Sequence, residues 1–298
     1  MCPMVFPDVP TGAVTSEPAR GHGAARLAVV GDPIAHSKSP QLQLAAYRQL
    51  GVDWEYWRWQ VPAGSLHDRL ANRGQGWRGV SVTAPLKAEA LAYASSADPF
   101  AELTGAANTL VFATLDPSAP AHAANTDVAG IVAAFGGLQP VQGRVDVLGA
   151  GGTAVSAVAA AAQMGANEVR VFARRPEAAT ALVARLEPKL GGVQLHAHDL
   201  STWQPVGAAA VIDTVPGGCP VRPDLQVSDA PLLSAAYDPW PTELARCWNG
   251  TVIAGTEMLL QQAVVQVRLF TGRGADHPLP NESTIVQQMR VALNNHAD

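Results

Sequence analysis

The chain has 298 residues, of which 48% are hydrophobic and only 15% charged, which is enough apolar content for one large or two medium domains; we expect two. The net charge of −5, with no cluster of Lys and Arg interleaved with aromatic residues, argues against nucleic acid and favours small-molecule partners. The cysteines at 2, 219 and 247 have no disulfide or zinc spacing, which fits a cytoplasmic protein without a metal.

Residues 1–25 contain Pro, Gly, Thr and Ser but neither the basic nor the apolar region of a signal peptide, so we expect a flexible leader. Elsewhere no apolar run approaches the roughly 20 residues that a bilayer span requires, so no membrane partner is expected.

After the leader, runs rich in Val, Ile and Leu alternate with Ala-rich stretches, which predicts an α/β fold with a parallel sheet and helices on both faces. The predicted strands of the first unit are 26–31, 54–60, 78–82 and 106–113. The tryptophans of 54–60 are expected to pack against a core rather than to stack on a ligand. Residues 114–124 lack periodicity and are rich in Pro and Ala, which predicts a linker.

A second unit begins with a strand at 144–148, a glycine-rich turn and helix at 149–165, and a strand at 168–173. Later strands are predicted at 208–215, 232–238 and 251–255. Gly149, Gly151 and Ala154 fit G-x-G-x-x-A between strand and helix, a pattern typical of pyrophosphate binding at a helix N-terminus. The alternative is a tight turn without a ligand.

Arg174 and Arg175 follow the strand at 168–173, where a site specific for NAD normally has an acidic residue. Two guanidinium groups there suit a 2′-phosphate, and hence NADP, although solvated surface arginines remain an alternative.

Lys87 is predicted in the first turn of a helix that follows Pro85. The helix macrodipole opposes a cation there by about 0.3–1 kcal/mol, so a purely structural position would favour an acid. This lysine is therefore either a proton-exchanging group or a solvated surface residue.

Two further helix starts carry candidate groups. Ser37 and Ser39 precede Pro40, so Ser39 is either an ordinary N-cap or, with Ser37, part of a carboxylate site. Asp127 opens a helix where the macrodipole favours an acid, and by itself it reads as structural.

The chain resembles the shikimate dehydrogenase family from about residue 26 onward. The motifs that carry the resemblance occur in the family's order: GDPIAHSKSP, SVTAPLK, GAANTL, NTDVAG, GAGGTA, ARR, YDPWPTEL and GTEMLLQQAVVQVRLFTG. It implies a substrate-binding domain at 26–124, a Rossmann-type NADP-binding domain at 125–254, and C-terminal helices at 255–298 that return to the first domain. The active-site cleft would lie between the domains, in a monomer or a homodimer.

The resemblance also implies roles for individual residues. Lys87 and Asp127 would form the catalytic pair. The substrate-binding residues would be Ser37, Ser39, Thr83, Asn108, Tyr237 and Gln262. The cofactor-binding residues would be Gly149, Ala150, Gly151, Gly152, Thr153, Ala154, Arg174, Arg175, Thr214, Val215, Gly255 and Met258.

The sequence departs from the family pattern in three places. Gln43 and Leu44 replace the usual His-Asn, and Ser81 replaces the Asn of Asn-Val-Thr. Residues 213–216 read Asp-Thr-Val-Pro instead of Asn-Ala-Thr-Ser. These departures affect the expected substrate pocket and the nicotinamide end of the cofactor site.

The implied reaction is reversible reduction of 3-dehydroshikimate to shikimate with NADPH and no metal. Two alternatives remain: a quinate or aminoshikimate dehydrogenase, and a catalytically silent sensor that binds NADP(H) or shikimate. By the same resemblance, the paired Ser37 and Ser39 favour shikimate over quinate, because relatives that accept quinate often have Thr at the second position. Arg174 disfavours an NAD-dependent catabolic role, and retention of both Lys87 and Asp127 argues against a silent protein.

Overall fold

The computed structural model describes residues 12–18, 24–138, 140–217 and 228–295. They form two compact units, one up to Thr126 and again from Ala263, and the other from Asp127 to Gln262. The sequence-predicted domain boundaries lie two residues before the first of these divisions and eight before the second. Within the described ranges, no helix is both long and apolar enough to cross a membrane.

The first unit contains a six-stranded sheet in the order β2-β1-β3-β5-β6-β4. Its elements up to Thr104 are β1 (Ala25–Gly31), α1 (Ser39–Leu50), β2 (Trp54–Gln60), α2 (Leu66–Ala71), β3 (Trp77–Val82), α3 (Lys87–Tyr93), β4 (Ser96–Ala97) and α4 (Pro99–Thr104). They are followed by β5 (Thr109–Phe112) and β6 (Ala121–Ala124). The expectation of an all-parallel sheet is wrong here, because β5 runs antiparallel to both β3 and β6.

Strand β1 lies between β2 and β3 and is buried along its whole length, as its run of small and branched apolar residues predicts. On β2, Trp59 is fully buried and stacks on Trp77 with ring centroids 5.3 Å apart. The prediction that tryptophans of this strand pack in the core is confirmed at Trp59.

Two segments predicted to lack structure take part in this unit. Residue Val14 pairs with β2, and the carboxylate of Glu17 accepts hydrogen bonds from the Trp77 indole (2.8 Å) and the Gly74 N–H (2.9 Å). The predicted flexible leader is therefore wrong for residues 14–17. The predicted linker is wrong for residues 121–124, because β6 completes backbone hydrogen bonds that β5 would otherwise leave open.

The second unit contains a six-stranded, entirely parallel sheet in the order β12-β11-β10-β7-β8-β9. In chain order its elements are α5 (Thr126–Phe135), β7 (Gly143–Leu148), α6 (Gly152–Gln163), β8 (Ala166–Ala173), α7 (Pro176–Leu186), β9 (Gln194–Asp199), β10 (Ala210–Asp213), β11 (Leu232–Ser234), α8 (Glu243–Cys247), β12 (Val252–Ala254) and α9 (Gly255–Phe270). This is the Rossmann strand order. The chain adds β8 and β9 on one side of β7 and then β10, β11 and β12 on the other side, so the strand order reverses between β7 and β10.

The chain returns to the first unit within α9, and the last described helix, α10 (Glu282–Asn294), packs against α1. Gly79 on β3 lies so close to Phe270 that an added Cβ would meet the ring at 2.6 Å. The tight approach brings the last turns of α9 against the first sheet.

Candidate active site

Five of the predicted functional residues lie at one edge of the first sheet. The parallel strands β1 and β3 both end there, and β5 begins there because it is antiparallel to β3. Ser37 follows β1, Thr83 follows β3, and Asn108 immediately precedes β5. Ser39 and Lys87 begin the helices α1 and α3 that leave this edge. The topology thus gathers residues that are up to 71 positions apart in the sequence.

Lys87 is the first residue of α3, as the sequence predicted, and it is half-buried. Its backbone carbonyl accepts a hydrogen bond from the Ala107 N–H (2.9 Å), one residue before Asn108. The Thr83 carbonyl accepts from the Leu86 N–H (2.9 Å), which forms the turn before the helix. The backbone therefore holds Lys87 beside both Thr83 and Asn108.

The serine pair is buried and does not cap its helix. Helix α1 already begins at Ser39, Lys38 is the N-cap, and no side chain caps the helix. The N-cap interpretation of Ser39 is therefore wrong. Instead, the Ser37 hydroxyl donates to the Ser39 hydroxyl (3.2 Å) and accepts from the Ser39 N–H (3.3 Å), so both hydroxyls meet at the helix start.

Two residues that the sequence did not single out adjoin these serines. Arg58 is buried and donates from Nε to the Ser37 carbonyl (2.8 Å), and Tyr56 forms a hydrogen bond with Ser39. Burial raises the pKa of Tyr56 well above its usual range, although hydrogen bonds to Ser81 and Ser39 and the charge of Arg58 oppose the shift. Side chains alternate between the two faces of a strand, so residues 56 and 58 of β2 lie on the same face, and this pattern could have identified them together.

Asn108 connects the sheet edge to the start of α5. Its Oδ1 accepts hydrogen bonds from the Thr126 N–H (2.8 Å) and the Thr109 hydroxyl (2.9 Å), and its Nδ2 donates to the Thr126 hydroxyl (2.9 Å). Asn108 is 97% buried, and both ends of its carboxamide form hydrogen bonds. Thr126 immediately precedes Asp127, so Asn108 also anchors the backbone next to the predicted catalytic acid.

In the second unit, Asp127 is buried in the first turn of α5, three residues before Gly130 and so on the same helix face. A Cβ added at Gly130 would meet the Gln262 Cβ at 2.7 Å and the Met258 carbonyl at 3.0 Å. The missing side chain allows α5 and α9 to approach closely. The structure thereby brings the face of Asp127 against the helix that carries Gln262 and Met258.

Two of the departures from the family pattern meet at one side chain in the first unit. Gln266 Oε1 accepts hydrogen bonds from the Ser81 hydroxyl (2.8 Å) and Gln43 Nε2 (3.1 Å). The Ser81 hydroxyl in turn accepts from the Tyr56 hydroxyl (2.6 Å). The residues that replace the usual ones are therefore parts of one hydrogen-bonded network.

A cavity of about 260 Å³ lies at the strand ends of the second sheet, around the reversal between β7 and β10. Seven of the predicted cofactor residues line it: Gly149, Ala150, Gly151, Arg174, Arg175, Thr214 and Val215. Among the described residues, four others also line the cavity and were not predicted: Ala173, Ala178, Leu200 and Pro216. Ala173 and Pro216 belong to sequence stretches already described, but small or apolar side chains gave no signal of their own for a role at the cavity.

Local geometry explains the glycine at the start of this cavity. Gly149 has φ +106°, and a Cβ there would meet the Thr214 hydroxyl at 2.4 Å. The Thr214 hydroxyl and N–H both donate to the Leu148 carbonyl, at 2.7 and 2.8 Å. A glycine is therefore needed both for the turn and for the close approach of β10.

Asp213 lies at the end of β10, beside the cavity. Burial raises its pKa from 3.8 to about 6, although the Val215 N–H and the Ser234 hydroxyl donate to it and oppose the shift. The Ser234 hydroxyl also contacts Thr242 Oγ1 (3.2 Å), the N-cap of α8. Asp213 thus connects the backbone at Val215, which lines the cavity, to β11 and, through Ser234, to the start of α8.

The other predicted cofactor and substrate residues of the second unit lie outside this cavity lining. Gly152, Thr153 and Ala154 form the first turn of α6, directly behind Gly151. Gly255 begins α9, and Met258 is buried in its first turn. Tyr237 lies half-buried in the segment between β11 and α8.

Comparisons with known proteins agree with this architecture. Residues 29–110 match the family described as the shikimate dehydrogenase substrate binding domain. The NADP(+) shikimate dehydrogenase of Methanothermobacter thermautotrophicus is 33% identical over 84% of this chain and 92% of its own length.

Two solved structures are also similar. The shikimate dehydrogenase of Mycobacterium tuberculosis is 36% identical, with a TM-score of 0.73 over 91% of this chain and 99% of that one. The Thermus thermophilus enzyme in complex with NADP(H) and shikimate is 29% identical, with a TM-score of 0.75 over 90% of this chain and 99% of that one. The identity and coverage of these relatives, together with the two sheets described above, show that the chain belongs to the shikimate dehydrogenase family.

Proposed function

We propose that this chain catalyses the reversible NADP(H)-dependent reduction of 3-dehydroshikimate to shikimate. The observation that carries the proposal is its relationship to a protein named NADP-dependent shikimate dehydrogenase over most of both chains. It is supported by the sheet edge at which Ser37, Ser39, Thr83, Lys87 and Asn108 converge, because these side chains suit a small acid that carries hydroxyl groups.

The substrate carboxylate would bind at the start of α1. The buried hydroxyls of Ser37 and Ser39 are hydrogen-bond donors there, and a helix N-terminus carries about half a positive charge. Arg58 adds a full positive charge behind the Ser37 carbonyl. An anion is therefore the ligand that this pocket favours electrostatically.

The remaining polar side chains would orient the ring. Thr83, Asn108 and Gln262 would form hydrogen bonds with the ring hydroxyls or the catalytic side chains, and Tyr237 would line the substrate. Such contacts fix the reacting carbon with respect to the cofactor, which accounts for much of the rate enhancement in a hydride transfer.

Lys87 would handle the proton of the reaction. During reduction, its ammonium group would donate a proton to the alkoxide oxygen that forms at C3, and during oxidation the neutral amine would take the proton back. Asp127, buried in the first turn of α5, would orient the ammonium group and balance its charge. The pair would then act as one proton-handling unit.

The cavity in the second unit fits a dinucleotide with a 2′-phosphate. Gly151 is the N-cap of α6 and has no side chain, which would let a pyrophosphate approach the helix N-terminus, and Arg174 and Arg175 are exposed at the same cavity. Gly255 and Met258 would lie beside the nicotinamide. When bound, NADPH supplies the hydride.

A turnover assay tests this proposal. The purified chain should reduce 3-dehydroshikimate with NADPH and oxidise shikimate with NADP, with a kcat/KM at least tenfold above that for quinate or for NAD. Faster turnover of quinate or an amino-substituted substrate would select the second enzyme. Binding of NADPH or shikimate without any oxidation of NADPH would select the sensor and contradict the enzyme.

A further inference from the structure

We propose that Gln266 is a positioning residue for substrate binding, which acts through Thr109 on the carboxamide of Asn108. The proposal rests on the substrate-binding role proposed above for Asn108. Gln266 itself is 99% buried on α9 and is not expected to touch the substrate.

Every hydrogen-bonding group of the Gln266 side chain has a partner. Nε2 donates to the Asn108 carbonyl (3.2 Å) and to the Thr109 hydroxyl (3.0 Å). Because a backbone carbonyl can only accept, this contact identifies Nε2 as the nitrogen and Oε1 as the oxygen. Oε1 accepts from Ser81 and Gln43, so the amide has a single orientation that satisfies all four contacts.

That orientation determines the direction of the next hydrogen bond. Since the Thr109 hydroxyl accepts from Gln266 Nε2, its own hydrogen is free to point to Asn108 Oδ1, 2.9 Å away. Asn108 Oδ1 also accepts from the Thr126 N–H. With Oδ1 held from both sides, the Asn108 amide has its nitrogen, rather than its oxygen, on the other side, where Nδ2 donates to the Thr126 hydroxyl.

Gln266 also holds the backbone of Asn108 from the α9 side. The Asn108 carbonyl accepts from both the Val82 N–H (2.7 Å) and Gln266 Nε2. Side chain and main chain of Asn108 are therefore both fixed by one buried amide on a different element. Loss of that amide should loosen the substrate donor without touching the cofactor cavity.

Gln43 offers a matched control, because it is equally buried and bonds the same Gln266 oxygen, but is not on the path to Asn108. Its Oε1 accepts from the Tyr47 hydroxyl (2.9 Å), so Gln43→Leu also strands a buried polar group. Both Gln266→Leu and Gln43→Leu should melt earlier than the wild type. Gln266→Leu should impair substrate binding more than Gln43→Leu does, because Ser81 still donates to Gln266 Oε1 when Gln43 is replaced.

The experiment compares steady-state kinetics of these variants with those of Asn108→Ala. Gln266→Leu should raise the KM for shikimate about three- to tenfold, the loss of one neutral hydrogen bond, with the KM for NADP within about twofold. kcat should stay within about threefold. Adding Gln266→Leu to Asn108→Ala should raise the KM for shikimate little further, because the side chain that Gln266 positions is already missing.

Equal shikimate KM values for Gln266→Leu and Gln43→Leu, or independent effects of Gln266→Leu and Asn108→Ala, would overturn the inference. If Gln266→Leu does not fold, Thr109→Val removes the same route with a side chain of the same shape, and an unchanged shikimate KM would have the same meaning. An Asn108→Ala variant with a normal shikimate KM would instead contradict the proposed role of Asn108 itself.

Discussion

Replacement of Asp213 with Asn should stabilise the second unit, increasingly so as the pH rises. Asp213 has its pKa raised from 3.8 to about 6 because it is buried. Between these values the unfolded chain ionises while the folded chain keeps its proton, so rising pH favours unfolding. The contribution of Asp213 to the free energy of unfolding is fully present below pH 3.8, and it is lost as the pH rises to about 6.

Raising the pKa of Asp213 by about two units destabilises the folded protein by about 3 kcal/mol at pH 7.5, and by about half of that at pH 5. The substitution should recover this free energy because the asparagine keeps the local hydrogen bonds. Its carbonyl accepts from the Val215 N–H, and its amide donates to the Ser234 hydroxyl, which remains able to donate to Thr242. Val215 thus keeps its place at the cavity, and the KM for NADP should stay within about twofold.

Scanning calorimetry of wild type and Asp213→Asn from pH 5 to pH 8 measures this effect as a difference in Tm that widens with pH. Asp146→Asn is the matched control, since Asp146 is fully buried in the same sheet. Burial raises its pKa as well, but it forms an ion pair with Arg144 (2.8 Å), so its replacement should destabilise the protein at pH 7.5. A pH-independent Tm difference for Asp213→Asn, or a loss of stability at pH 7.5, would refute the desolvation reasoning.

Three further predictions concern the reaction. Lys87→Ala and Asp127→Asn should each lower kcat about 10²–10⁴-fold, and the double variant should be scarcely worse than either single variant. Additive losses of kcat in steady-state assays would contradict a single proton-handling unit. Arg174→Ala should raise the KM for NADP roughly tenfold or more and leave NAD use unchanged, whereas equal losses would show that it does not contact the 2′-phosphate. The double Ser37→Ala, Ser39→Ala variant should raise the KM for shikimate but not for NADP, and wild-type kinetics would exclude the serines as carboxylate ligands.

Several features of the site could be predicted because they depend on short stretches of sequence. Position 149 requires a glycine because its backbone has φ +106° and passes close to a neighbouring strand. The glycine pattern from Gly149 to Ala154 predicts this turn from neighbouring residues alone. Lys87 follows Pro85 at a helix start that its own neighbours specify. The alternation of apolar runs likewise predicted all six strands of the second sheet except β9.

Boundaries and caps were less predictable because they depend on competing local choices. Ser39 satisfies the sequence pattern of an N-cap, but its hydroxyl bonds to Ser37 and Tyr56 instead. Residues 121–124 have no strand-like periodicity and still form β6, since β5 offers them a ladder of backbone partners. In both cases a tertiary contact outweighed the local preference.

By itself, then, the sequence determined the two α/β units, the dinucleotide motif and the identity of the polar residues at the helix starts. Only the tertiary structure decided that Gln43, Ser81 and Asn108 share one partner, Gln266, which lies as many as 223 residues away. A hydrogen bond between such distant residues depends on how α9 packs against the first sheet, and no local dihedral preference or periodicity encodes it. The direction of that network follows from donor and acceptor chemistry, but only after packing has brought the groups within 3.2 Å of one another.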